Sequence, residues 1–197
     1  SPIYQPEVVE VVDGFFTVSI SLIQDQKYDI IFWAQDEEAQ YNVADLRKVG
    51  MAIHHNSEKG AAFFAYLNDF VPTGTSQPVT LKRPFAQLNL GTTEASLKPN
   101  SGEVFLSQSK VKVSNVAAVF NTVTGMGEEP VVYETTLLGV PQSTITVNSV
   151  AYQYISMDYL PIVGDDQALV TVAAEIELTN EQVISHEFTN VPVRENY

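Results

Sequence analysis

Three histidines, two short runs of acids and a few aromatic rings are the residues of this 197-residue chain with the chemistry to serve a reaction or a ligand. His54 and His55 are adjacent, and neighbours on a strand point to opposite faces, so they do not converge on one metal ion. The pair reads as polar loop residues, and His186 stands alone far along the chain. Asp36, Glu37 and Glu38, followed by Asn42 and Asp45, gather oxygen ligands of the kind calcium takes, and are the only metal candidates. The run lacks the alternating acid spacing of a helix–loop–helix calcium site and reads first as a solvated loop. Glu175 and Glu177 share one strand face with α-carbons about 7 Å apart, near the separation of paired glycosidase carboxylates. Both fall on the solvent side of their strand, where nothing raises a carboxyl to serve as an acid.

The aromatic candidates are Trp33, Tyr152 and Tyr154, because an exposed coplanar set beside polar groups would stack on sugar rings. Trp33 lies in the densest apolar run of the chain, which favours packing. Tyr152 and Tyr154 share a face, and Met157, Asp158 and Tyr159 follow them closely. No Gly-x-Ser-x-Gly elbow, phosphate-binding glycine loop or His-Glu-x-x-His helix occurs. Gly125-Met126-Gly127 has no helix after it, so it is not a dinucleotide fingerprint. The expectation is a protein without catalytic residues and without a cofactor.

The elements that position these residues are strands. Thr17 to Leu22 alternates strictly, with Val18, Ile20 and Leu22 on one side. Residues 28–33 form a denser run, fit for burial on both faces, and Gln24 to Lys27 reads as a hairpin connection between the two. The clearest alternation puts Val170, Val172, Ala174, Ile176 and Leu178 inward and Thr171, Glu175 and Glu177 outward. Further strands are expected at 62–70, 79–90, 110–120, 131–138, 145–150, 152–160 and 184–193. Within 79–90 the apolar parity shifts from Val79 and Leu81 to Ala86, Leu88 and Leu90. An extra residue or a sheet-switching corner is therefore required at Arg83-Pro84, since proline gives nothing to a central ladder. Residues 43–53 suit a short helix or a strand equally. Pro72 to Pro78, Pro99 to Gly102 and Gly125 to Pro130 read as linkers, the last (125–130) as a possible boundary between lobes of one 1–197 unit. Asp165-Asp166 after Gly164 reads as a hairpin turn. The sum is an all-β antiparallel β-sandwich with at most one short helix.

Composition narrows the function classes. With 24 acidic and 10 basic residues the formal charge is −14, which repels phosphate backbones and anionic headgroups and argues against nucleic acid or electrostatic membrane binding. There is no cysteine, so no disulfide or thiolate metal site forms. No apolar run approaches the roughly 18 residues that span a bilayer. The opening Ser1-Pro2 reads as the start of a mature or trimmed piece.

Tyr28-Asp29-Ile30-Ile31-Phe32-Trp33-Ala34 and Leu81-Lys82-Arg83-Pro84-Phe85-Ala86-Gln87-Leu88-Asn89-Leu90-Gly91-Thr92 resemble two signature stretches of the fimbrillin-like proteins of Bacteroides-type bacteria. The stretches at 111–125, 154–160 and 190–197 resemble later signatures, in the same order. The run Gly60-Ala61-Ala62-Phe63-Phe64-Ala65 departs from the family's pattern, and the family continues past the position of Tyr197. The resemblance implies a transthyretin-like sandwich, export as a lipoprotein, a lipid anchor outside this chain, and display on the outer membrane or in fimbriae. It implies partners among other fimbrial subunits by strand addition after cleavage at a basic residue near the N-terminus, and a host or glycan ligand. Lys27 is the first basic residue here and directly precedes a strand, so no earlier cut site exists in this chain.

Overall fold

A computed structural model describes residues 9–94, 97, 104–164 and 167–195. The described residues form twelve strands and one short 3-10 turn. In chain order these are β1 (Tyr28–Gln35), β2 (Val49–Gly50), β3 (His54–His55), the 3-10 turn Glu58–Gly60, β4 (Ala62–Phe70), β5 (Ala86–Thr92), β6 (Leu106–Asn121), β7 (Met126–Glu134), β8 (Leu138–Gly139), β9 (Thr144–Val147), β10 (Val150–Leu160), β11 (Gln167–Leu178) and β12 (Val183–Arg194). All the strand pairings are antiparallel.

Two sheets make an all-β sandwich. One runs β12-β11-β6-β2, with β7 and β8 also paired to β6; the other runs β3-β10-β5, with β9 also paired to β10. Between them lie Val111, Val113 and Val116 of β6, Val170, Val172 and Ala174 of β11, and Ala86, Leu88 and Leu160 from the smaller sheet. Each valine or leucine among them taken fully from water stabilises the fold by about 1.5–3 kcal/mol. The five inward positions expected along β11 are all buried. A separate two-stranded ribbon, β1 with β4, caps one end of the sandwich. There Phe64 meets Phe120 edge-on at 4.6 Å, and Val49, Phe85 and Tyr159 complete a second core.

The chain passes from ribbon to sandwich across Arg83-Pro84. Lys82 exchanges both backbone hydrogen bonds with Phe64 of β4, at 2.8 and 2.9 Å. Four residues later Ala86 is paired with Leu160 of β10. This change of partner is the corner that the parity shift requires.

Several expectations are corrected. Residues 79–85, expected to be strand, form only a single bridge at Lys82, and the strand begins at Ala86. Thr17 to Leu22 joins no sheet, so Gln24 to Lys27 is not a hairpin; β1 pairs with β4 instead. Alternation made a strand possible there, but a strand needs a neighbouring edge to bond to. β1 is half-buried rather than covered on both faces, because its ribbon lies outside the sandwich. Residues 43–53 form no helix: Asn42 and Asp45 side chains bind the backbone N–H two residues on, making tight turns, and only Val49–Gly50 is strand. The strand expected at 131–138 is broken, β7 ending at Glu134 and β8 beginning at Leu138.

Gly125 to Pro130 is the turn and opening of the β6–β7 hairpin. Asp165-Asp166 and Pro99 to Gly102 lie outside the described residues. Among the described residues, no helix is long and apolar enough to cross a membrane.

Candidate functional site

The two adjacent histidines are strand residues. β3 pairs with β10 so that His55 stands opposite Asp158 and His54 opposite Tyr159. Adjacent residues point apart, as their strand demands. His54 points to the other face of β3 and is half-buried, its ring 5.5 Å from that of the buried Tyr41. Tyr41 in turn meets Trp33 edge-on at 5.7 Å and donates from its hydroxyl to the Gly60 carbonyl at 2.6 Å. Gly60 is glycine for want of room, since a Cβ there would come 2.5 Å from the His54 side chain. Burial lowers the His54 pKa, and the charge of Asp36 offsets part of that.

His55 goes inward and is buried, which corrects the loop reading. Its Nδ1 lies 2.6 Å from Asp158 Oδ1 and its Nε2 lies 2.8 Å from the backbone carbonyl oxygen of Ser109 on β6. Asn56, held at φ 52°, accepts from Met157 N–H at 3.1 Å through Oδ1 and donates through Nδ2 to Ser109 Oγ and the Gly139 carbonyl, both at 3.1 Å. Ser109 Oγ donates to the Ile155 carbonyl at 2.7 Å. One buried polar cluster therefore ties β3, β6, β8 and β10 together. Burial alone would lower the His55 pKa. The hydrogen bond and charge of Asp158 and the Ser109 carbonyl outweigh it, and the net shift is upward.

Serine, histidine and aspartate thus meet here, but not as a nucleophile with its base. His55 Nε2 faces the Ser109 carbonyl, and the Ser109 hydroxyl is directed at another carbonyl. A triad needs the imidazole to receive the hydroxyl proton beside a place for the substrate, and Ser109 and Asp158 have no solvent exposure.

The other candidates are dispersed. Asp36 Oδ1 accepts from Glu38 N–H at 2.8 Å, and Glu38 is ion-paired with Lys59. Among the described residues no three His, Asp or Glu side chains group to hold a metal. Trp33, in the ribbon, donates Nε1–H to Gln35 Oε1 at 2.8 Å and is half-buried. Tyr152 and Tyr154 sit on β10 in the sandwich, also half-buried, with Tyr152 lying close over Gly91. Met157, Asp158 and Tyr159 are buried. Glu175 is bound to Lys110 at 3.2 Å on the outer face of the larger sheet. A shallow trough of about 420 Å³ crosses that face, lined among others by Lys110, Lys112, Glu134, Glu175, Ser185 and Glu187.

The most unusual surface is β12. It pairs with β11 on one side only, and residues 183–190 are all exposed. Ile184, His186 and Phe188 stand opposite Ile176, Ala174 and Val172, three core residues of β11. The apolar inner face of the sheet thus continues onto β12, but the opposite sheet covers only its far end, where Val193 is buried, and not residues 183–190. Val11, Val12, Phe15, Ile20 and Ile23 are exposed as well, on the segment that joins no sheet.

The fold defines an antiparallel β-sandwich with an open edge. Residues 4–197 match the family described as "Family of unknown function (DUF6562)", and the chain belongs to that family. No curated protein matches. Among solved structures, a "putative adhesin" from Bacteroides ovatus is similar at 7% identity and a TM-score of 0.43, over 83% of this chain and 64% of that one. This chain therefore spans less than two-thirds of that protein's length, and likeness at this level carries no argument about function. The matched family is described as one of unknown function and not as fimbrillin.

Proposed function

We propose that this chain is a cell-surface structural or adhesive protein, a fimbrial subunit or fimbria-associated lipoprotein, that assembles by accepting a strand along β12. The observation that carries this reading is the uncovered inner face of β12, where Ile184 and Phe188 are 37% and 39% exposed beside a buried core. An unpaired edge offers a ladder of N–H and C=O groups, and the apolar face beneath it supplies the pockets a received strand would fill. The segment with Val18, Ile20 and Leu22 supports the same reading from the other side. It has strand-forming alternation and no sheet, so a neighbouring copy's edge would complete it. A contact between two different segments of the chain is heterologous, which permits head-to-tail growth rather than a closed pair. The acidic surface fits an exposed location, and no catalysis is proposed. The aromatics do not support a glycan platform of Trp33, Tyr152 and Tyr154, since they are half-buried and divided between ribbon and sandwich.

The test is assembly of the full-length processed protein, followed by sedimentation and by fractionation of cells into filaments and outer membrane. Multimers that disappear in Phe188→Glu and in Ile20→Glu are expected. A protein that stays monomeric after processing, or multimers indifferent to both changes, would overturn the reading.

A further inference from the structure

We infer that His55 is held as a doubly protonated imidazolium, whose two ring hydrogens tie it to Asp158 in its own sheet and to Ser109 of the opposite sheet. The argument is one of donors and acceptors. The Ser109 carbonyl oxygen can only accept, so His55 Nε2 must carry a hydrogen to satisfy their 2.8 Å contact. Asp158 Oδ1, at 2.6 Å from Nδ1, is an acceptor in its ionised form, so Nδ1 carries the other. One further group approaches the ring: the Asn56 amide nitrogen lies 3.2 Å from Nε2. Its orientation is fixed by Met157 N–H donating to Oδ1, and its two hydrogens are directed to Ser109 Oγ and the Gly139 carbonyl. Asn56 therefore gives nothing to Nε2, which is left to donate.

The surrounding elements bring no competing charge. From β10 the facing group is Asp158 itself. From β7 comes Tyr133, neutral, its hydroxyl donating to the Ile53 carbonyl at 3.2 Å and its pKa raised by burial and by the charge of Asp158. On β3, His54 is turned away onto Tyr41. On β6, Lys110 next to Ser109 is turned to Glu175. The imidazolium is thus matched by one buried carboxylate, from β10 beside it in the same sheet, and one carbonyl, from β6 of the opposite sheet; parting the sheets breaks the second bond and opens the first to water. Separation exposes His55 to water, where an imidazole releases its proton near pH 6.5. Closing the sandwich at neutral or mildly alkaline pH therefore takes up one proton. This inference stands apart from strand addition at β12 and is unaffected if that fails.

The experiment is nitrogen NMR of the full chain labelled in its histidine rings, with denaturant unfolding followed from pH 6 to 9. The expected spectrum shows one histidine with both ring nitrogens protonated at pH 8. The folding equilibrium should weaken as pH rises, by up to tenfold per pH unit while one proton is linked. His55→Gln should remove that dependence. A His55 ring with one bare nitrogen at pH 7, including the neutral pair in which Asp158 holds the proton, overturns the inference. So does an unfolding equilibrium whose pH dependence is the same in His55→Gln. Should that variant fail to fold, the wild-type spectrum decides alone.

Discussion

Ile176 and Ile184 face each other across the β11–β12 pairing, yet Ile176 is 8% exposed and Ile184 is 37% exposed. One strand spacing separates core from solvent. The larger sheet is wider here than the sheet that covers it, and residues 183–190 of β12 are the part left over. Side chains on such a strand contribute little to monomer stability and a great deal to whatever next covers them.

The first prediction follows from that difference. Phe188→Glu and Ile184→Lys, both at exposed positions, should change the unfolding free energy of the monomer by no more than about 0.5 kcal/mol. Either should abolish multimer formation. Thermal unfolding and analytical ultracentrifugation on the same samples separate the two effects, and a large drop in melting temperature would show that β12 is part of the monomer's core.

The buried pair behaves oppositely. His55→Ala leaves the Asp158 carboxylate without its cation in a site that water does not reach, and losing one partner of a buried pair costs about 3–5 kcal/mol. At roughly 2–4 °C per kcal/mol for a chain of this size, the melting temperature should fall by about 6–20 °C. Calorimetry tests this directly, and a fall of only a degree or two would contradict it.

The two adjacent histidines should titrate in opposite directions. His55 is shifted upward, so its contribution is complete below the unfolded value near 6.5 and is lost as pH rises through the folded value. His54 is shifted downward by burial. As pH falls below about 6.5 the unfolded chain takes a proton at that position before the native one does, and stability declines. A proton NMR titration should show one ring charging above, and its neighbour below, the usual range. Identical curves for the two would refute the different surroundings described for the two faces of β3.

Gly127 gives a steric prediction. Its backbone exchanges hydrogen bonds with Gly164 at 2.8 and 3.0 Å, and an added Cβ would lie 1.8 Å from the Ile162 carbonyl oxygen. Gly127→Ala should destabilise by about 1–3 kcal/mol through backbone displacement. Gly139→Ala, where nothing lies within 4 Å, is the matched control and should be close to neutral. Urea midpoints for the two variants provide the comparison.

The alternation of β11 was legible because each of its residues reports its own face, and Val170 to Leu178 needed no knowledge of a partner. The corner at Arg83-Pro84 was legible for a related reason: a parity change and a proline are both local. The strand reading of Thr17 to Leu22 failed because alternation records what a segment can do, whereas pairing depends on an edge elsewhere. The His55–Asp158 contact joins residues 103 positions apart, and its meaning lies in the register of β3 on β10. No local pattern distinguishes a buried histidine opposite an aspartate from two polar loop residues. The exposure of β12 was hidden likewise, because its width relative to the opposing sheet is a property of both sheets.

The length of β6 has a mechanical consequence. Its 16 residues run for about 54 Å, and it is bonded to β11, β2, β7 and β8. Ladder bonds lie perpendicular to the strands, so tension along β6 loads many of them at once, in shear. Tension that peels β12 sideways from β11 loads them one after another. The molecule is therefore stiff along one axis and yields along another, and a pull would be borne best when it runs parallel to its longest strand.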